Sequence, residues 1–252
     1  MGISNFASKI RSVITLGVIE PGILSLVLRL KRQQKTFLSY GKLLSLVKAY
    51  HMMHKRVNAP IQIAEFGVGR GGSAMLLGWL INKYGGALTL FDLFGRIPPP
   101  TDNDGQAAQQ RYADILDAAD GQDYYGNLED LQGRIAAELE EVVDLQLITF
   151  VSGSYEDTLP GRAAGECFHL IHIDCDWYAS TRTVLDFLRT RLVPEAILQF
   201  DDYGYWSGSK QAVDETNWLQ GYHHTMVDDA LVIDFSPAEK AENFKAKKAP
   251  RS

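Results

Sequence analysis

Phe168-His169-Leu170-Ile171-His172-Ile173-Asp174-Cys175-Asp176-Trp177-Tyr178 is an apolar run that stops abruptly in carboxylates. Ala196-Ile197-Leu198-Gln199-Phe200-Asp201-Asp202-Tyr203 repeats the pattern one helix later. Runs of this kind mark strands buried on both faces of a parallel sheet, at the point where they emerge at the C-terminal edge. Open α/β sheets bind ligands at that edge. Either aspartate pair alone fits a helix cap or a surface turn. Four aspartates delivered together by neighbouring strands would repel one another unless a cation or a proton intervened, so the cluster reads as a site for a hard divalent metal with oxygen ligands.

Working outward, Ala179 to Leu192 is predicted as a helix, with Ser180 and Thr181 as capping candidates. Ser207-Gly208 opens another, running through Ala212, Val213 and Glu215 to Leu219. His224 to Val227 and Leu231 to Phe235, joined by Asp228-Asp229-Ala230, read as a closing hairpin. Upstream, Gly41 to Lys55 carries Leu43, Leu44, Val47 and Tyr50 at helical spacing and stops at Asn58-Ala59-Pro60. Gln62 to Phe66 is a strand entering the turn Gly67-Val68-Gly69-Arg70-Gly71-Gly72-Ser73, followed by the helix Ala74 to Tyr84 and a second strand, Ala87 to Phe91, ending in Asp92. Leu128 to Val142 is a helix and Leu145 to Val151 a strand, leaving through the polar turn Gly153 to Pro160. The elements make an α/β fold: a mostly parallel sheet of seven strands with a C-terminal antiparallel hairpin and helices on both faces.

The glycine turn leaves its nucleotide open. Gly67, Gly69 and Gly72 satisfy a dinucleotide fingerprint, with Asp92 where a ribose-binding acid would stand. Gly67, Gly69 and Gly71 equally satisfy the tighter Glu-x-Gly-x-Gly-x-Gly turn of S-adenosylmethionine enzymes, Glu65 supplying a carboxylate at the strand end. The closing hairpin favours the Rossmann-like class I methyltransferase variant. Asp174-x-Asp176 also matches the Asp-x-Asp motif of metal-dependent glycosyltransferases, and a non-catalytic binding or assembly subunit of the same fold is a third alternative.

Residues 95–126 include Pro98-Pro99-Pro100, Asp102-Asn103-Asp104-Gly105 and a polar helical patch from Gln106 to Ala119, an insertion long enough to be a lid over the site. The division expected is an N-terminal helical arm at 1–35, the catalytic domain at 36–237 and a solvated tail at 238–252. The apolar stretches Val13 to Val18 and Ile23 to Leu28 are too short for a span and are broken by Glu20-Pro21-Gly22, which points to an arm packed on the domain or on a second subunit, hence a homo-oligomer. Twenty-five Lys and Arg against 31 Asp and Glu give a net charge of −6, against a nucleic-acid or anionic-membrane partner. Only Cys167 and Cys175 occur, both expected in one strand as reduced thiols, which fits a cytoplasmic setting. His172 reads as a satisfied core histidine, and His223 and His224 as surface residues.

Glu65 to Ser73, Asp92-Leu93-Phe94-Gly95-Arg96-Ile97-Pro98, the turn Gly153 to Pro160, Asp174-x-Asp176-x-Tyr178-x-Ser180-Thr181, and Asp201-Asp202-Tyr203 followed by Ala212-Val213-Asp214-Glu215 occur in order. Together, over roughly Thr36 to Phe235, they resemble the macrocin O-methyltransferase family, metal-dependent sugar O-methyltransferases of antibiotic pathways. The resemblance implies that Asp174, Asp201 and Asp202 bind Mg²⁺ and that Asp176 is the general base. It further implies that Glu65, Phe66, Gly67, Val68, Gly69, Asp92, Leu93, Phe94, Gly95, Ser154 and Tyr155 hold S-adenosylmethionine, the acceptor being a small sugar-containing molecule. Val68-Gly69-Arg70 lacks the family's usual Trp before the Arg, and Val193 to Ala196 lacks its paired glycines, differences that bear on turn shape and substrate rather than on the carboxylates.

Overall fold

The computed structural model describes residues 3–117 and 128–237. Two helices, α1 (Ile3–Ile19) and α2 (Pro21–Arg32), precede α3 (Tyr40–Arg56). The sheet helices and strands follow as β1 (Ile61–Phe66), α4 (Gly72–Tyr84), β2 (Gly86–Asp92), α5 (Gly105–Asp117), α6 (Leu131–Leu139), β3 (Ile148–Ser152), the short α7 (Tyr155–Thr158) and β4 (Phe168–Ile173). The chain closes with α8 (Tyr178–Leu188), β5 (Leu192–Phe200), α9 (Ser207–Asp214), β6 (His223–Val227) and β7 (Ala230–Asp234).

The seven strands lie in the order β3-β2-β1-β4-β5-β7-β6. The first five are parallel; β7 runs antiparallel to β5, and β6 antiparallel to β7. The strand order reverses between β1 and β4, and a crevice opens at such a switch point because the connecting helices leave to opposite faces. One face is packed by α2, α3, α4 and α6 through Leu26, Val47, Leu76 and Ile135. On the other, Phe66, Phe91, Phe168 and Phe187 form an aromatic block around a stacked Phe66–Phe91 pair with ring centroids 4.5 Å apart. The arm belongs to the first core, with Leu16, Ile23, Val27 and Leu30 buried. Pro21 starts α2, where a missing amide hydrogen is harmless. The buried Glu20 carboxylate at this junction takes Lys83 Nζ at 2.6 Å and the Tyr84 hydroxyl.

Several boundaries differ from expectation. The helix expected over Leu128 to Val142 is Leu131–Leu139, and the one expected from Ser207 to Leu219 ends at Asp214 before a 3₁₀ turn at Asn217–Leu219. Leu145–Leu147 is a 3₁₀ turn, because the Asp144 side chain accepts from the Gln146 amide at 2.9 Å before β3 begins. The eighth helix stops at Leu188, and Leu192 already belongs to β5, which passes through Pro194 and Glu195; a register shift between Phe168 and Leu170 absorbs the irregularity. Cys167 and Cys175 flank β4 instead of lying in it, and both are free. Residues 118–126 of the 95–126 insertion, the following residue 127 and the tail from 238 lie outside the described residues.

Candidate active site

The register of two strands explains why the aspartates converge. Ile173 pairs with Phe200 at the last rung of β4 and β5, and the next residue on each strand is Asp174 and Asp201. The ladder continues one step beyond the strands: the Asp174 amide donates to Phe66 O and the Asp201 amide to Ile173 O, both at 2.8 Å. In a straight strand Asp201 and Asp202 would point to opposite faces. The chain instead turns at once, the amides of Tyr205 and Trp206 donating to Asp202 O at 3.0 and 2.9 Å and that of Gly204 to Asp229 O at 2.7 Å. One carboxylate oxygen each from Asp174, Asp201 and Asp202 consequently lies within 4.8 Å of the others.

Asp176 reaches the same place by another route. A straight strand would put it on the Asp174 face, but β4 has ended and Asp176 adopts a left-handed φ of 60°. Its amide donates to Asp202 Oδ2 at 3.0 Å, and its own Oδ1 accepts from Trp206 Nε1 at 2.8 Å.

Below the cluster lies a polar row that sequence reasoning saw only in part. Glu65, His172 and Gln199 occupy one rung across β1, β4 and β5, all fully buried. His172 Nδ1 hydrogen-bonds Glu65 Oε1 at 2.9 Å, while its Nε2 stands 3.9 Å from Asp201 Oδ1 without a hydrogen-bond partner. Above it, Lys42 Nζ donates to Asp201 O at 3.0 Å and to Asp201 Oδ2 at 2.9 Å, and pairs with Asp229 Oδ1 at 2.8 Å. Lys42, Leu46, Ala49 and Met53 follow one another along the buried face of α3, so a lysine on an apolar stripe was the available signal.

The electrostatics divide the four acids. Burial and the neighbouring Asp202 push the carboxyls of Asp174 and Asp176 well above the usual range. Burial and Asp201 raise Asp202 to about 6. Burial acts upward on Asp201 too, but His172 and the Lys42 ammonium outweigh it and hold Asp201 below its ordinary value. Burial opposes protonation of His172, yet Asp201 and Glu65 raise its imidazole to about 9. A divalent cation fits this donor set. All three donors are carboxylate oxygens, as a hard ion prefers, the acids repel one another without it, and Asp201 Oδ1 is a buried acceptor with no hydrogen-bond donor.

A cavity of about 620 Å³ joins this cluster to the glycine turn, lined by Gly67, Gly69, Asp92, Leu93, Gly95, Ser154 and Tyr155 at one end and by Asp174, Asp176, Asp201 and Asp202 at the other. Gly67 and Gly69 have φ of +87° and +54°. A Cβ on Gly67 would overlap the Asp174 carbonyl, whereas one on Gly69 would meet nothing within 4 Å. Asp92 knits the strand ends together, its Oδ2 accepting from the amides of Val68 (2.6 Å) and Gly69 (3.2 Å) and its Oδ1 from that of Phe94 (2.6 Å). Ser154 caps α7 through the Asp157 amide at 3.2 Å. Glu65, Phe66, Val68 and Phe94 are not among the cavity's lining residues; the Glu65 carboxylate faces His172 in the core. His223 and His224 lie exposed on the edge strand β6.

The insertion is anchored at its base. Trp177 Nε1 donates to Pro98 O at 2.8 Å, and Ile97, Ala108, Trp177 and Trp206 form a small apolar cluster. The buried Asp104 accepts from the Tyr178 amide at 2.5 Å and from the Thr101 amide at 2.7 Å. Arg111 and the exposed Tyr205 line the cavity near Asp176.

Residues 42–234 match the macrocin O-methyltransferase (TylF) family. The chain is 28% identical over 156 residues to the 8-demethyl-8-(2,3-dimethoxy-alpha-L-rhamnosyl)-tetracenomycin-C 4'-O-methyltransferase of Streptomyces olivaceus, a match covering 57% of this chain and 53% of that protein. It thus spans about half the length of that relative. Among solved structures it resembles the O-methyltransferase NovP, with a TM-score of 0.65, 20% identity and coverage of 80% of this chain and 82% of that one. It also resembles the calicheamicin methyltransferase CalS11, with a TM-score of 0.61, 20% identity and coverage of 93% and 94%. At such identities the structural likenesses establish the fold.

Proposed function

The chain belongs to the macrocin O-methyltransferase family, and from that membership we propose that it methylates a hydroxyl of a small sugar-containing molecule, using S-adenosylmethionine as methyl donor and Mg²⁺ as metal. The observation that carries the reading is the single cavity in which the glycine turn of β1 and the carboxylates of β4 and β5 meet. It joins a place for a cofactor to a place for a cation and a base.

A sugar hydroxyl holds its proton tightly and is a poor nucleophile. A divalent cation held by Asp174, Asp201 and Asp202 would supply Lewis acidity and a template for the acceptor. Asp176 accepts the hydroxyl proton while the acceptor oxygen bonds to the methyl carbon and the carbon–sulfur bond breaks, leaving S-adenosylhomocysteine. A base placed in this way is worth about 10²–10⁴-fold. Gly67 and Gly69 let the backbone approach the donor, Asp92 fixes the shape of that turn, and Ser154 and Tyr155 line the same cavity.

The arm supports a homo-oligomer. Phe6, Ile10, Ile14 and Val18 are exposed at four-residue spacing on α1, a continuous apolar stripe of the kind that a second copy would cover. The two free thiols fit a cytoplasmic setting, and no described helix is long and apolar enough to cross a membrane.

The test is incubation with labelled S-adenosylmethionine, Mg²⁺ and a panel of nucleotide sugars and glycosylated metabolites. Label should enter a sugar hydroxyl of at least one acceptor and fail to do so in chelator. Tight binding of a nucleotide sugar with no affinity for S-adenosylmethionine, measured by calorimetry, would overturn the reading.

A further inference from the structure

Asp176 sits at a left-handed φ of 60°, a conformation uncommon for residues with a Cβ though less so for aspartate, and it is braced there. Two contacts do so: the amide donates to Asp202 Oδ2 at 3.0 Å, and Oδ1 accepts from Trp206 Nε1 at 2.8 Å. The first fixes the backbone. The second holds one carboxylate oxygen of Asp176, a group that the Arg111 guanidinium also attracts, and so limits rotation about its two side-chain bonds.

The indole cannot follow such a turn. Trp206 is only 8% exposed, and its amide is tied to Asp202 O at 2.9 Å. Its ring packs edge-on against Trp177, with centroids 5.1 Å apart, and against Tyr205 at 4.7 Å. Trp177 is in turn tied to Pro98 of the insertion. An indole nitrogen is a donor and never an acceptor, so the contact needs an oxygen acceptor, which Asp176 Oδ1 supplies.

Resting on the reading of Asp176 as the base, we propose that Trp206 is the positioning residue of this site. Its N–H engages Oδ1 and so presents Oδ2 to the acceptor hydroxyl. Ile97 and Ala108 pack in the same cluster as the two indoles and so help to hold the Trp206 ring in place.

The experiment combines Trp206→Phe, which keeps a ring and removes the donor, with Asp176→Ala and the double variant. In ¹H–¹⁵N spectra the chain's four tryptophans give separate indole resonances, and the one lost in Trp206→Phe should move and exchange faster with solvent in Asp176→Ala. Should Trp206→Phe not fold, the resonance is assigned by elimination with Trp79→Phe, Trp177→Phe and Trp218→Phe. Turnover of Trp206→Phe should fall about ten- to hundredfold, with KM for S-adenosylmethionine and Mg²⁺ affinity within about twofold of the parent; in the Asp176→Ala background the same change should cost nothing further. An indole resonance indifferent to Asp176→Ala overturns the contact. A loss appearing in KM, or a full additional loss in the double variant, overturns the positioning role. If Asp176→Ala keeps full turnover while the resonance moves, the base assignment has failed and the contact stands.

Discussion

Lys42 and Asp201 form a buried ion pair, Nζ to Oδ2 at 2.9 Å with each side chain 8% exposed, and the ammonium stands between the candidate cation site and Asp229. It gives one of the three converging carboxylates, Asp201, a permanent counter-charge that Asp174 and Asp202 do not share among the described ion pairs. Burial lowers the Lys42 ammonium, but Asp201 and Asp229 more than offset this and raise it above its ordinary value. The lysine is therefore charged throughout the useful pH range.

Replacing Lys42 by Met should remove one of the two groups, Lys42 and His172, that hold the buried Asp201 carboxylate ionised. Removing one partner of a buried pair typically costs about 3–5 kcal/mol. A bound cation would restore the missing charge, so the rise in melting temperature on adding Mg²⁺ should be larger in Lys42→Met than in the parent chain. Calorimetric melts with and without Mg²⁺ decide it; an equal or smaller rise would show that Lys42 does not share the cation's electrostatic role.

Asp202→Asn tests the cation site from its other side. The asparagine keeps the volume and an acceptor for the Asp176 amide, but it removes a charge from the donor set. Mg²⁺ affinity by titration should fall by about 10- to 100-fold while S-adenosylmethionine affinity holds, and chelation of the parent chain should reproduce the loss of methyl transfer. Unchanged Mg²⁺ affinity would remove Asp202 from the ligand set.

Gly67 and Gly69, two residues apart in the turn, should respond differently to the same substitution. At Gly67 an alanine meets both a left-handed φ and the Asp174 carbonyl, so Gly67→Ala should cost about 3 kcal/mol or more in urea unfolding. At Gly69 the φ is +54° and the added methyl enters open cavity. Gly69→Ala should cost only about 1–2 kcal/mol and should show its main effect as weakened S-adenosylmethionine binding. Equal stability losses would mean that the close approach of β1 and β4 is not what fixes Gly67.

The strand ends were legible because burial on both faces writes itself as unbroken apolar runs, and the Ile173–Phe200 rung turns sequence position directly into spatial convergence. The turn after Phe200 was legible through Tyr203-Gly204, since two successive aspartates cannot share a face otherwise. What was not legible depends on long-range packing. Glu65 reads as a cofactor ligand at a strand end, and only the three-strand register reveals that its carboxylate also meets His172, with Gln199 on the same rung. Lys42 and Asp229 come from elements more than 180 residues apart, and no local pattern announces that they share Asp201. Nothing in the local sequence announces that the Trp206 N–H ends on Asp176, thirty residues away.

The pair that joins α3 to the end of β7 gives the fold an acid limb remote from the cavity. Arg56 donates to Asp234 Oδ1 at 2.9 Å and to Oδ2 at 2.6 Å, with both side chains 18% exposed. Burial acts to raise the Asp234 carboxyl, but the bonds from Arg56 and Ser236 prevail and hold it below its ordinary value. A depressed carboxyl contributes stability that is complete above its unfolded value of about 4 and is lost as pH falls through the lower folded value. The unfolding free energy of the parent chain minus that of Asp234→Asn should thus be constant from about pH 5 to 8, at about 1.5–3 kcal/mol for charged hydrogen bonds, and should shrink towards zero only below about pH 4. A difference that instead declined between pH 6 and 8 would place the responsible titration on another group, and the Arg56–Asp234 pair would not be the source.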